Sequence, residues 1–266
     1  MKGSKMKPYE IIDCHFHPAV DDKTDTGWFD SAGSMKYQIE TLRRAGISRA
    51  CGAPIGKIVN PKSFRKIRHL NDKALALRDK YPDFYIPGIH IHPEFPDESC
   101  REIERCCGGE GVRWIGELVG YWMDYGNDYA SRNAIQIFRT AIEYGAVVNF
   151  HCGDLKVIGK LCTALPELKL VLAHPGSGRK DFLARIKIVS KFKNLHLDIS
   201  GSGIDRFGIL SYAIDTSGAE KLLFGTDYPI NNPAVYVHGT LLENLSEKER
   251  KLLFSGNFLR LIGIRT

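Results

Sequence analysis

Short apolar runs alternate along the chain with longer stretches in which apolar residues return every three or four positions. Eight runs read as strands: 11–14, 48–53, 85–91, 112–118, 146–150, 168–173, 195–199 and 221–225. Most are rich in Val, Ile, Leu or Phe and lack strict polar alternation, as in a parallel sheet covered on both faces by helices. Between them, Met35, Ile39 and Leu42 fall on one helical face, with Gly46 as a stop. Ala134, Ile137, Phe138, Ala141 and Ile142 form another such face, ended by Gly145. Residues 70–81 read as a helix that Pro82 terminates. Ser246 and Glu249 have the spacing of a capping box ahead of Leu252 and Leu253.

Strand–helix alternation repeated eight times predicts a closed (β/α)8 TIM barrel, an architecture of about 250 residues. The chain has 266 residues. A doubly wound open sheet would carry GxGxxG after its first strand, where this chain reads Cys14-His15-Phe16-His17-Pro18. No Pro-, Ser- or Gly-rich linker divides the chain, so a single domain over 1–266 is expected.

At 43% hydrophobic and 26% charged residues, the composition is that of a globular protein able to bury a core without disulfides. No apolar run approaches the roughly 20 residues of a membrane helix. The opening MKGSKMKPYE has basic residues with no apolar segment behind them, unlike a secretory signal. Seven cysteines, without a CxxC pair, suggest reduced thiols in a cytoplasm and argue against a four-cysteine zinc site. The net charge is +6. Its basic clusters, at 57–68 and 179–193, read as solvated helix faces more readily than as a nucleic-acid groove. A small, anionic substrate is the expected partner, and a homo-oligomer is compatible.

Reacting groups in a barrel come from the C-terminal strand ends. The first run closes with His15 and His17, which period-2 alternation puts on one face within reach of one ion. The same alternation turns Cys14 and Cys152 away, as small apolar packing groups. The fourth run ends at Glu117, the fifth at His151, the sixth at His174 and the eighth at Asp227. One such histidine alone reads as a hydrogen-bonded structural residue. The whole set reads as a metal centre. Imidazole plus carboxylate suits zinc, the expected ion, and also manganese, iron or nickel.

These segments resemble a family. IIDCHFHP, IGELVGY, VNFHCG, LVLAHPGSG and LLFGTDYP are similar to the strand ends of the amidohydrolase superfamily. The branch resembled is the amidohydrolase-related one that includes aminocarboxymuconate-semialdehyde decarboxylase. HLNDKALALRDKYPDFYIPGIHIHP resembles its passage into strand 3. LSEKERKLLFSGNFLRLIGI, with Asn257, resembles its C-terminal helix pair, so the likeness spans nearly the whole chain. It implies that His15, His17, His151 and Asp227 bind a divalent metal, while His174 assists catalysis or binds a second ion. Glu117 departs from the decarboxylase-like members and is more similar to TatD-like nucleases and phosphotriesterase-like proteins, where a carboxylate here bridges or supports a second metal. One or two ions are therefore expected.

Hydrolysis of an amide, lactone or ester is the leading expectation. Asp227 would take the proton of an activated water, and His174 would orient that water or polarise the carbonyl. Arg179 and Arg206, following the sixth and seventh strands, are candidates to pair with a substrate anion, though they read more readily as surface or capping arginines. Tyr121 and Trp122 are candidate pocket walls or rim packing. A second HxH, His90 and His92, reads as lining rather than as ligands. Competing activities are non-oxidative decarboxylation and metal-dependent nuclease or phosphoesterase chemistry. A barrel that keeps its ion only as a structural element is opposed by the completeness of the donor set.

Overall fold

The computed structural model describes residues 9–20, 28–29, 33–202 and 204–264. All eight expected strands are present: β1 (Ile12–Asp13), β2 (Arg49–Gly52), β3 (Tyr85–Ile89), β4 (Trp114–Val119), β5 (Val147–His151), β6 (Lys169–Leu172), β7 (Leu195–Asp198) and β8 (Leu222–Leu223). Each pairs in parallel with the next. The two ends of the sheet also meet. Cys14 N–H donates to Phe224 O at 2.9 Å, Asp227 N–H to His15 O at 2.8 Å and His17 N–H to Tyr228 O at 2.9 Å. Phe16 and Tyr228 form a parallel bridge. The sheet closes on itself as the (β/α)8 barrel.

Outside the strands lie α1 (Met35–Arg44), α2 (Arg65–Lys80), α3 (Pro96–Ile103), α4 (Arg132–Glu143), α5 (Leu155–Ala164), α6 (Arg179–Lys191), α7 (Ile209–Ser217), α8 (Pro233–Leu242), α9 (Glu247–Lys251) and α10 (Asn257–Ile262). The predicted apolar faces are the buried ones: Met35, Ile39 and Leu42 on α1, and Ala134, Ile137, Phe138 and Ala141 on α4. Helix α2 begins at Arg65 rather than at 70. Its opening turns bury only Ile67, so they carry too few apolar positions to show a period. The capping box forms as read, with Glu249 N–H donating to Ser246 Oγ at 3.2 Å and Ser246 N–H to Glu249 Oε2 at 2.6 Å.

Two apolar layers hold the barrel. The larger lies between strands and helices and takes in Ile115, Val148, Phe150 and Leu172. The smaller unites Ile12, Cys51, Trp114, Val147, Val171 and Leu223 with Phe258, Leu259 and Ile262 of α10. It occupies the inside of the cylinder, whose lower end α10 closes; Trp114 and Phe258 pack with ring centroids 5.3 Å apart. Asn257 fixes that plug by donating to Ala219 O and Leu222 O, both at 2.8 Å. Among the described residues, no helix is long and apolar enough to cross a membrane.

Candidate metal centre

The upper ends of β1, β4, β5, β6 and β8 carry the site, and local backbone chemistry aims each group. Gly116 has φ +113°, and a Cβ there would stand 2.0 Å from Asn149 O of β5. Only glycine permits that approach, which brings Glu117 in beside the β5 end. His174 and Asp227 have φ of +65° and +62°, a left-handed backbone that costs a non-glycine residue about 1–2 kcal/mol. Contacts hold both in place: Asp227 N–H donates to His15 O at 2.8 Å and His174 N–H to Asp198 Oδ1 at 3.3 Å. Such strain concentrates at functional sites.

All six predicted donors converge. His17 Nε2 lies 3.0 Å from Asp227 Oδ1 and 3.7 Å from Glu117 Oε2. His15 Nε2 lies 3.2 Å from the same Glu117 oxygen and 3.6 Å from Asp227 Oδ1. The other oxygen, Glu117 Oε1, lies 3.2 Å from His151 Nδ1 and 3.3 Å from His174 Nε2. Glu117 thus stands between two sets of nitrogens. Donor atoms of His15, His17 and Asp227 lie within 4.8 Å of one another, as do those of Glu117, His151 and His174, and of His15, His174 and Asp198. Nitrogen and carboxylate oxygen clustered this tightly, without thiolate, suit a divalent transition ion.

A layer of buried polar groups supports these donors, and sequence reasoning missed it. Asp198, at the end of β7, accepts from His15 Nδ1 at 3.0 Å and from Asn149 Nδ2 at 2.9 Å. Ser200 Oγ contacts Asp198 Oδ1 and lies 3.0 Å from the Nδ1 atoms of both His15 and His174. Asp13 accepts from the N–H groups of His15 and Thr226, each at 3.0 Å. Asn231 Nδ2 donates to Asp227 Oδ2 at 3.2 Å. Arg185 of α6 reaches inward and donates to Ala173 O, His174 O and Cys152 O at 3.0, 3.1 and 2.9 Å.

Charges in the site sustain one another. Burial disfavours a protonated His15, but Asp198 and Glu117 hold its pKa well above the ordinary imidazole value. Burial would raise Glu117; His15, His151 and His174 around it instead hold it well below the carboxylate range. Asp198 likewise overcomes its burial through His15, and falls to about 2. These carboxylates stay ionised, as metal ligands and their supports must.

A cavity of about 360 Å³ opens onto Glu117, His17, His151, His174 and Asp227, with Tyr121, Trp122, Trp28, Ile55 and Ile230 among its walls. The Tyr121 ring meets His151 edge-on, with centroids 5.3 Å apart. Arg179 and Arg206 lie elsewhere, in a neighbouring groove with Phe182 and Phe207. His90 and His92 are buried and bind the carbonyls of Pro54 at 2.8 Å and Met123 at 2.6 Å. Neither joins a donor cluster among the described residues. Cys14 is buried as read, but against the inner layer. The chain bends at Cys14–His15 and interrupts the alternation that would have turned it outward.

A family model described as amidohydrolase matches residues 12–264. The chain belongs to the amidohydrolase family. Among solved structures, this amidohydrolase resembles 2,6-dihydroxybenzoate decarboxylase from Rhizobium, at 17% identity and TM-score 0.75 over 96% of this chain and 99% of that one. It is also similar to dihydroxybenzoic acid decarboxylase from Polaromonas sp. JS666 with bound manganese and the inhibitor 2-nitroresorcinol (18%, TM-score 0.74, 96% and 97%). A third is 5-carboxyvanillate decarboxylase from Novosphingobium aromaticivorans complexed with manganese and 4-hydroxy-3-methoxy-5-nitrobenzoic acid (15%, TM-score 0.74, 96% and 96%). At such identities the likeness concerns the fold. No curated protein matches the chain.

Proposed function

We propose that this amidohydrolase is a divalent-metal-dependent decarboxylase of a small aromatic or conjugated carboxylic acid. One observation carries the reading: the cavity over the donor cluster is walled by Trp28, Tyr121 and Trp122 with Ile55 and Ile230, surfaces that suit a flat unsaturated ring. The manganese-containing decarboxylases of like fold support it, and they move the weight away from hydrolysis.

His15, His17, His151 and Asp227 would hold the ion, with Glu117 beside them. When bound, the ion would supply positive charge that stabilises the substrate's carboxylate and the negative charge developing on the ring. Tyr121 and Trp122 hold the ring plane and keep water from its face. The bond between ring carbon and carboxylate breaks, carbon dioxide leaves, and the electron pair stays on carbon. His174 Nε2 delivers a proton to that carbon. Burial opposes a charge on His174, but Glu117 overcomes it and raises its pKa.

The test is carbon dioxide release from a panel of hydroxybenzoates and muconate-type acids by protein loaded with manganese or zinc, with the product followed by NMR in D₂O. Deuterium at the vacated carbon is expected. His174→Asn should slow turnover by about 10²–10⁴-fold with ion content retained.

A second reading rests on Glu117, whose two oxygens face separate donor sets. That arrangement suits two ions and hydrolysis of an amide, lactone or ester, with Asp227 taking the water's proton. Two ions per chain, hydrolysis of such bonds, and no carbon dioxide would replace the decarboxylase. Phosphodiester cleavage draws no support from this cavity, whose described walls hold neither Lys nor Arg; Arg185, in the adjoining cavity over His151 and His174, is taken up by three carbonyls.

A further inference from the structure

A basic groove of about 580 Å³ lies beside the metal pocket, and the chemistry above makes no use of it. The loop after β2 gives it Lys57, and the first turns of α2 give it Arg65, Lys66, Arg68 and His69. Asp72 is the one carboxylate in its described wall, and Arg105 already pairs with it at 2.7 Å. Some surface arginines elsewhere are matched, Arg49 with Glu10 at 2.8 Å, Arg78 with Glu110 at 2.9 Å and Arg206 with Asp205, and others stand singly; the groove differs in gathering several cations around one concavity. Among the described residues, Lys57, Arg65, Lys66 and Arg68 form no ion pair. Uncompensated positive charge is therefore gathered in one concavity.

The groove and the metal pocket share a loop. Ile55 walls the pocket, while Gly56 and Ile58 wall the groove. Ile58 N–H donates at 2.9 Å to the carbonyl of Trp122, itself a pocket wall.

We propose that this groove binds a phosphate-bearing small molecule with at least two negative charges, at a site independent of the metal centre. Guanidinium forks match the oxygens of a phosphate, and a multiply charged anion relieves the repulsion among four neighbouring cations. The volume is that of a small-molecule site. A nucleic-acid surface would instead spread its cations along a backbone track.

Inorganic pyrophosphate, titrated calorimetrically into the metal-loaded protein, is the probe. An Arg65→Ala, Lys66→Ala, Arg68→Ala triple variant should bind it about tenfold or more weakly, with ion content and melting temperature unchanged. Arg65→Lys combined with Arg68→Lys, which keeps the charge, should bind more tightly than the triple variant. Equal affinity in wild type and triple variant would place the pyrophosphate on the ion and overturn the proposal. Tighter binding of a short single-stranded RNA than of pyrophosphate, falling steeply with salt, would overturn it in favour of a nucleic-acid surface.

Discussion

His15 Nδ1 and Asp198 Oδ2 lie 3.0 Å apart inside the barrel, with both side chains fully buried. The carboxylate holds a proton on Nδ1 and so leaves Nε2 as the atom facing Glu117 and Asp227. It also raises the ring's basicity, which strengthens an imidazole as a ligand. Asp198→Asn keeps the shape and removes the charge. Metal affinity should fall about 10–100-fold, read by competition with a metallochromic chelator. Unchanged affinity would remove Asp198 from the centre.

Tyr121 lines the pocket while remaining 62% exposed. In the proposed reading its ring would add apolar area against the substrate. Tyr121→Ala should raise KM about tenfold, as loss of part of a buried aromatic surface would, while kcat changes little. A fall in kcat alone would mean that the ring takes part in the reaction rather than in binding.

Arg185 is a buried cation whose three described partners are carbonyls, two on the β6 end and one on the β5 end. Burial lowers its pKa without neutralising it. It ties together the two strand ends that present His151 and His174. Arg185→Met should cost about 2–4 kcal/mol in urea denaturation, because three buried carbonyls lose their donors. It should also lower ion occupancy, and Arg185→Lys should restore part of both. Full ion occupancy in the methionine variant would make its role purely structural.

His90 and His196 set an acid limit on stability. Burial lowers both from 6.5 to about 4, and in His196 the nearby Lys221 adds to the effect. Their folded pKa lies below the unfolded value, so as pH falls from about 6.5 to about 4 the unfolded chain takes up protons that the folded one refuses. The stability they contribute is present above pH 6.5 and is lost across that window. At about 1.4 kcal/mol per pKa unit, each shift corresponds to at most about 3–4 kcal/mol. His196→Gln should flatten the melting temperature between pH 6.5 and 4; an unaltered slope would show that His196 is protonated in the folded state.

Strand ends were legible because an apolar run and the polar residue that stops it are both local features. This exposed His15, His17, Glu117, His151, His174 and Asp227 as one set. Asp198 stops the seventh run in the same way, in Leu-His-Leu-Asp-Ile-Ser, and the same criterion applied to that run would have found it. Arg185 left no such mark. On an amphipathic helix, an arginine turned inward to carbonyls and one turned out to water are spelled alike. Arg179 and Arg206 sit at the expected distance along the chain from strand ends, but loop direction, which text does not carry, places them in a different groove. The bend after Asp13 is equally invisible. It allows Cys14 and the two histidines to serve the interior together.

Because His15 and Asp227 are joined by a main-chain hydrogen bond across the β8–β1 closure, the seam of the cylinder and the proposed metal centre are one structure. An ion held there would act as a clasp between the first and last strands, and its binding energy would be added to the cohesion of the whole molecule. Stripping the ion should loosen this seam before any other, so hydrogen exchange in chelator should rise first at the amides of Cys14, His17 and Asp227. A fragment lacking either terminal strand should lose metal retention together with its final folding step.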